Sequence, residues 1–243
     1  MSQHQQVIDV MDENGGYATL GFLYREVDVA KWATRTPFKT INRIVQDDRF
    51  FFRIKPGLWA LKSRRNEVLE FLEIEKAGAK QLETFNHSYF QGLLVEVGNM
   101  KGFQTFVPNQ DKNKSFLGKK LGEVSTLETI HQFTYEVLVK RAKTVDAIWF
   151  NQRNMPTAFF EVEHSTDIFN SLIKFSDLSD FYSTFCIVAD IARRREFDQK
   201  ISSQVFSPIK NRISFMSYDQ LSAVHSNTYK LSSAKEEFGF LRG

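Results

Sequence analysis

The chain is poor in cysteine, with Cys186 alone among 243 residues. That excludes an intramolecular disulfide and any cage of thiolates around a metal ion. Cys186 sits in the apolar run Ser183-Thr-Phe-Cys-Ile-Val-Ala189, so a buried, reduced thiol is expected. Long apolar runs are also missing: nothing approaches the roughly 18 consecutive apolar residues of a membrane span. The start, Met1-Ser-Gln-His-Gln-Gln, has no basic region followed by an apolar one, so the expectation is a cytoplasmic, soluble protein with no membrane partner. Low-complexity segments and internal repeats are absent as well. Net charge is small at +3, yet unevenly spread, since residues 1 to 65 hold 11 Lys or Arg against 7 Asp or Glu and the remainder holds 21 against 22. A basic amino-terminal module joined to a near-neutral body suggests that anchoring and chemistry are separate. The chain is rich in phenylalanine, with 24, and 42% hydrophobic, which is ample for one good core or two small ones.

The first module reads as helix, helix, helix, hairpin. Val7, Ile8, Val10 and Met11 make the apolar side of a first helix that stops at Asn14-Gly15-Gly16. Leu20 to Val29 gives a second. Thr36-Pro37 starts a third, over Pro37 to Gln46, with Thr36 able to accept from free backbone amides and Pro37 where no donor is lost. This helix is expected to turn Phe38, Ile41 and Ile44 or Val45 inward and Lys39, Thr40 and Arg43 outward. Arg49 to Lys62 then forms two strands about Pro56-Gly57. Residues 66 to 84 read as a charged helical connector in which Gly78 argues against one unbroken helix. Beyond it, helices are expected at His87 to Val97, Leu127 to Phe133, Asp167 to Asp180 and Arg194 to Val205, and strands at Phe103 to Val107, Thr184 to Ala189 and Arg212 to Ser217. The sum is a mixed sheet flanked by helices.

The chemistry concentrates in Val145-Asp146-Ala-Ile-Trp-Phe150, a polar turn, and Thr157-Ala-Phe-Phe-Glu161-Val-Glu163-His164. On a strand alternate residues share a face, so Glu161 and Glu163 point one way while Phe160 and Val162 point the other. If the strand continues, His164 faces away from Glu163. Two carboxylates on one face of an apolar strand are costly to bury unless a cation receives them. The hairpin brings Asp146 alongside, and hard oxygen donors of this kind suit Mg2+, with Mn2+ able to substitute. An exposed Glu-x-Glu pair would be no more than a solvated face. The neighbours Phe159, Phe160, Val162, Ile168 and Phe169 argue against exposure.

The order Asp, short loop, Glu-x-Glu resembles the active-site motif of the PD-(D/E)XK nuclease superfamily. Val145 stands where the motif name has proline and Glu163 where it has lysine, a position at which some restriction enzymes of the superfamily carry glutamate. The likeness extends over roughly residues 85 to 220. A group of bacterial nuclease-like proteins of this fold continues Glu-x-Glu-His-(Ser/Thr)-Thr into a helix ending in a cation and Asp-Leu, matched by Glu161 to Leu178. It also has an upstream His-x-x-x-Gln helix and strand, matched by His87 to Gly98 and Phe103 to Pro108. The first module resembles a winged helix-turn-helix of the kind appended to bacterial restriction enzymes.

Together these resemblances imply an α/β chain of three parts. A winged helix-turn-helix DNA-binding domain spans 1–65, a helical connector 66–84, and a restriction-endonuclease-like domain 85–243, with a mixed β-sheet flanked by helices. The implied activity is Mg2+-dependent cleavage of double-stranded DNA, most simply in a restriction system. Asp146 and Glu161 would bind the metal, while Glu163 would orient or deprotonate the attacking water. Lys174 is the candidate to fill the vacant lysine position. Gln91 and Glu96 would line the cleft, with His87 capping or orienting it. Arg35, Thr36, Lys39, Thr40, Arg43, Arg53 and Lys55 are the candidate DNA contacts. Arg193-Arg194-Arg195 reads equally as a phosphate contact or a solvated face. Double-strand cleavage implies a homodimer, and a restriction role implies a companion DNA methyltransferase acting on the same site. The competing readings are a non-catalytic DNA-binding regulator with a degenerate nuclease fold and a structure-specific repair nuclease.

Overall fold

A computed structural model of the protein describes the backbone of residues 1–238 and the side chains through residue 232. The chain forms two units: Met1–Ala77 together with the segment from Ser222 onward, and Gly78–Leu221.

In the first unit α1 (Gln3–Glu13) begins at Ser2, whose hydroxyl accepts from the Gln5 amide at 3.1 Å, and it buries Val7 and Met11 one turn apart. The chain leaves α1 through Gly15 and Gly16 with φ of +85° and +88°, a left-handed conformation that glycine adopts without steric cost. Strand β1 (Tyr17–Thr19) follows and leads into α2 (Leu20–Glu26), which Thr19 caps. Helix α3 (Pro37–Val45) turns Ile41, Ile44 and Val45 into the core. Two expectations fail here. The Thr36 side chain makes no capping bond, and Thr40 is buried at 8% exposure. One bond accounts for the second: the Thr40 hydroxyl donates back to the Thr36 carbonyl at 3.3 Å, which satisfies it without water. Strands β2 (Phe51–Lys55) and β3 (Leu58–Leu61) turn about Pro56-Gly57, and β1 pairs with β3 to give an antiparallel sheet of order β1-β3-β2. Helix α4 (Arg65–Phe71) follows the hairpin.

The second unit opens on α5 (Ala79–Met100), which starts eight residues before the helix expected from His87. Gly78, expected to interrupt a connector helix, is its N-cap, and the Gln81 side chain accepts from the Gly78 amide at 3.0 Å. Next come β4 (Gln104–Phe106), the short pair β5 (Ser115–Phe116) and β6 (Lys119–Lys120), α6 (Leu121–Val124) and α7 (Glu136–Ala142). Residues 127 to 133, expected to be helical, are not. The Leu127 amide donates to the Thr105 carbonyl at 2.9 Å and His131 bonds Gln104 at 2.8 Å, so this segment is laid along β4 instead.

The remaining elements are β7 (Ala147–Phe150), β8 (Pro156–Glu163), α8 (Ile168–Asp177), β9 (Thr184–Ala189), α9 (Arg194–Ile201), β10 (Ile213–Ser217) and α10 (Tyr218–Phe238). They build a mixed sheet of order β10-β9-β8-β7-β4, in which β4, β7 and β8 are antiparallel neighbours while β8, β9 and β10 run parallel. Each parallel step needs a crossover, and α8 and α9 supply them. Several phenylalanines pack together on one side of this sheet: Phe159 stacks on Phe185 with ring centroids 5.5 Å apart, and Phe175 meets Phe185 at 5.0 Å. Each such ring contributes roughly 1.5–3 kcal/mol by leaving water. Among the described residues, no helix is long and apolar enough to cross a membrane.

Gly92 on α5 lies under Phe116, where an added Cβ would come within 2.2 Å of the ring. Gly92→Ala should therefore cost about 1–3 kcal/mol of overpacking, read as a lower urea midpoint; an unchanged midpoint would refute this packing. Burial pushes the Cys186 thiol up to about 11. Native protein should consequently leave Ellman's reagent unreacted at neutral pH, and denatured protein should react with one equivalent.

Candidate active site

Asp146 ends the loop before β7, and the antiparallel register that sets Ala147 opposite Phe160 brings it beside Glu161. Three bonds hold it. Its Oδ2 accepts from the Val162 amide at 2.8 Å and meets His87 Nε2 at 3.2 Å, while its carbonyl accepts from Gln91 Nε2 at 2.6 Å. Gln91 is wholly buried and also donates to Asp111 at 3.0 Å. It thus acts on Asp146 from beneath and not on anything entering the site.

Glu161 and Glu163 are 3% and 4% exposed and share the face of β8 that α8 covers. Ser171 on α8 shows this directly, because its hydroxyl bonds both carboxylates, reaching Glu161 Oε2 at 3.2 Å and Glu163 Oε1 more closely. Thr166 donates to the other Glu163 oxygen. Lys174 follows Ser171 by three residues, so it lies on the same side of the helix. Its Nζ is 2.9 Å from both Glu161 oxygens and 3.1 Å from the Thr144 carbonyl.

Lys174 does not fully offset the cost of burying Glu161 beside another carboxylate. Burial and then the charge of Asp146 hold its carboxyl well above the usual carboxylate range, against the lowering effect of Lys174. Burial opposes the charge on Lys174, yet the nearby Glu161 outweighs it and the ammonium is strengthened. His87 behaves likewise: burial disfavours its charged ring, but the bond to Asp146 raises it above the ordinary histidine value. Among the described residues no group of three or more His, Cys, Asp or Glu is arranged to hold a metal ion. A hard cation such as Mg2+ commonly binds through one or two carboxylates, several waters and a substrate phosphate. Asp146 and Glu161 are the pair that would fit such an ion, as two adjacent carboxyl groups with an oxygen-only donor set.

A cleft of about 280 Å³ opens over these residues and is lined by Asp146, Glu161, Glu163 and Lys174, four of the six expected catalytic positions. Gln91 lies below it. Glu96 does not line it; five residues beyond Gln91 it is rotated by well over a quarter turn around α5. His164, expected on the far side of a continuing strand, lines the cleft because β8 ends at Glu163 and the chain turns. Several neighbours went unread in the sequence. Tyr218 stacks on Phe90 with centroids 3.8 Å apart and donates to the Glu163 carbonyl at 3.1 Å. Arg193 donates to the carbonyls of His164 and Thr166 at 3.2 and 2.6 Å, which fixes the turn after β8 and gives this arginine a structural task. Ser171 could have been found by counting one turn back from Lys174.

In the first unit Arg35, Thr36, Lys39 and Arg43 are exposed, and Lys39 and Arg43 are one turn apart on α3. Arg53 is exposed on β2 and donates to the Lys55 carbonyl at 3.4 Å. Lys55 is half-buried, which pushes its ammonium below the ordinary lysine value. Thr40 alone of the seven expected DNA contacts is buried.

No solved structure matches the chain. The type II restriction enzyme NmeDI of Neisseria meningitidis serogroup C is 30% identical over 99 residues, which make up 39% of this chain and 28% of that enzyme. The chain therefore spans little more than a quarter of the relative's length in this match. The model of the family described as the type II restriction enzyme NmeDI C-terminal domain matches residues 69–239, which include every residue of the cleft. This chain belongs to that family, the C-terminal domain of the type II restriction enzyme NmeDI.

Proposed function

We propose that the protein is a Mg2+-dependent restriction endonuclease that hydrolyses phosphodiester bonds in double-stranded DNA. In this reading the second unit is a PD-(D/E)XK-type nuclease and the first a winged helix-turn-helix that anchors it. The observation that carries the proposal is the buried Glu161 carboxylate, held by Lys174 beside Asp146 in an open cleft. The family and the relative's name support the restriction role. The helix order and β1-β3-β2 sheet of the first unit support the winged helix.

Asp146 and Glu161 would hold the metal. Bound there, Mg2+ or Mn2+ would supply Lewis acidity toward a phosphoryl oxygen and would lower the pKa of a bound water. Hydrolysis adds water across the P–O bond: the water oxygen bonds phosphorus, its proton leaves to a base, and the departing sugar oxygen gains one. Glu163 is the residue proposed to orient or deprotonate that water, with Ser171 and Thr166 fixing its carboxylate. Lys174 contributes the positive charge that the commoner motif takes from the strand. His87 and Gln91 hold Asp146 in position. Cleavage of both strands calls for two such bodies, and a twofold homodimer supplies them. A methyltransferase acting on the same sequence would protect the host. One observation favours the non-catalytic alternative: Lys174 already occupies both Glu161 oxygens.

Plasmid incubated with the pure protein and Mg2+ separates these readings. Discrete fragments support restriction, a smear or a preference for ends supports repair, and intact plasmid in every metal supports the regulator. Asp146→Asn and Glu161→Gln should each lower cleavage by at least about a hundredfold, the scale of one lost electrostatic contact to a transition state, while duplex binding in calcium persists. Wild-type cutting by either variant would refute the assignment. Breaking a buried pair strands its partner, so Lys174→Met should lower stability and pairing it with Glu161→Gln should restore part of the loss. Purely additive unfolding energies would show that the two side chains do not interact. For the first unit, Lys39→Gln or Arg43→Gln should reduce the slope of log K against log salt by about 0.9 per lost phosphate contact. Unchanged slopes in both would remove α3 from the DNA.

A further inference from the structure

From Ser222 onward α10 belongs to the first unit, where it packs on α2 at a position made for it. Gly21 is the opening. A Cβ there would lie 2.4 Å from the Tyr229 ring and 3.1 Å from His225, so α10 approaches α2 closer than any side chain at 21 would allow. Arg25 on α2 lies over the same Tyr229 ring, 5.3 Å from its centroid. One residue further, Lys230 rests its Nζ 4.6 Å from the Tyr24 centroid and 5.3 Å from that of Phe38, the neighbour of Lys39 on α3.

Among the described residues Lys230 donates from its Nζ to Asn227 Oδ1 at 3.1 Å, and neither it nor Lys39 has a carboxylate partner. Burial and then the positive charge of Lys39 push its ammonium below the ordinary lysine value, which marks the two lysines as electrostatic neighbours. Two like charges on adjacent helices repel, and aromatic faces only partly compensate. An anion received by both would relieve that repulsion.

We propose that Lys230 and Lys39 together bind one phosphate of the DNA backbone, which makes the carboxy-terminal helix α10 part of the DNA-binding surface of the first unit. The inference rests on the DNA-binding reading of α3 and extends it to a helix distant in sequence. Lys230 is held over Tyr24 and Phe38 before DNA arrives, so less side-chain freedom is lost on contact than for a lysine free in solvent.

The test is binding of a labelled duplex to the full chain in calcium, over a range of KCl concentrations. Lys230→Gln should weaken binding several-fold at low salt and reduce the salt slope by about 0.9, and Lys230→Arg should keep the wild-type slope. A wild-type slope in Lys230→Gln, even with a lowered melting temperature, would overturn the proposal and leave Lys230 a packing residue. If Lys230→Gln does not fold, acetylation of wild-type lysines with and without duplex decides: Lys230 and Lys39 should both be protected, and labelling of Lys230 at an unchanged rate overturns the proposal. Failure of the unaltered chain to bind any duplex would overturn the DNA-binding reading itself, whereas binding with Lys230 indifferent defeats only this extension.

Discussion

The second unit is organised around a charge that has been taken out of water. Glu161 is nearly inaccessible, and an isolated buried carboxylate is unfavourable by several kcal/mol unless it is paired or protonated. Each neighbouring feature follows from that constraint. Residue 161 sits at the centre of the sheet, between β7 and β9, so solvent cannot reach it from either side. Relief must come from above, and α8 provides it with a hydroxyl at Ser171 and an ammonium at Lys174. The helix phase that serves Glu161 also serves Glu163 through Ser171, which is why two carboxylates can share a face this apolar. Asp146 arrives by strand pairing and makes Glu161 harder to ionise. A protein optimised only for stability would avoid this arrangement, since apolar residues of similar volume would pack there without the desolvation cost. Its persistence beside an open cleft argues for a function.

The parts of this arrangement legible in the sequence were the short apolar runs bounded by turn residues. Thr184 to Ala189 is a strand over the expected residues, and the hairpin differs by a residue or two at its ends. Lys174 was legible too, because a helix after the Glu strand returns its polar face to that strand about two turns on. What was not legible depended on single side-chain bonds. Thr40 counts as polar in any pattern, yet its hydroxyl is satisfied by the carbonyl four residues back and the residue is buried. The segment 127 to 133 has helical spacing of Leu127, Ile130 and Phe133, but Thr105 and Gln104 engage its polar groups and hold it along a strand. Glu96 was expected in the cleft through family likeness alone, and helical phase turns it elsewhere.

Helix α10 escaped notice for a different reason. It buries Ser222, His225, Ser226 and Thr228, so much of the face that packs is polar and hydrophobic periodicity is weak there. Small hydroxyl side chains can close this contact because they satisfy themselves locally: Ser226 donates to the Ala223 carbonyl at 3.2 Å and Thr228 to the Val224 carbonyl at 2.8 Å. A polar but self-satisfied face permits close approach without a large apolar stripe. Gly21 on the opposing helix completes the fit.

The two lysines discussed above solve opposite electrostatic problems. Lys174 faces excess negative charge, so its ammonium is strengthened and fixed by two carboxylate oxygens before any ligand arrives. Lys230 is partly buried and faces another ammonium and aromatic rings, so its charge is weakened, and among the described residues no carboxylate pairs with it. A cation of the first kind adds little affinity for a phosphate, because its charge is already spent on the protein; it can steady a reacting group only when something else takes over its carboxylate. A cation of the second kind gains most from an incoming anion, since no described carboxylate has neutralised it. On the proposed reading, this difference assigns the first lysine to the chemistry and the second to holding the duplex. If the first unit does bind DNA as proposed, the difference also explains why a net charge of only +3 would say little about it. The relevant quantity is how many cations remain unpaired on the face that meets the backbone, and that number is set by packing.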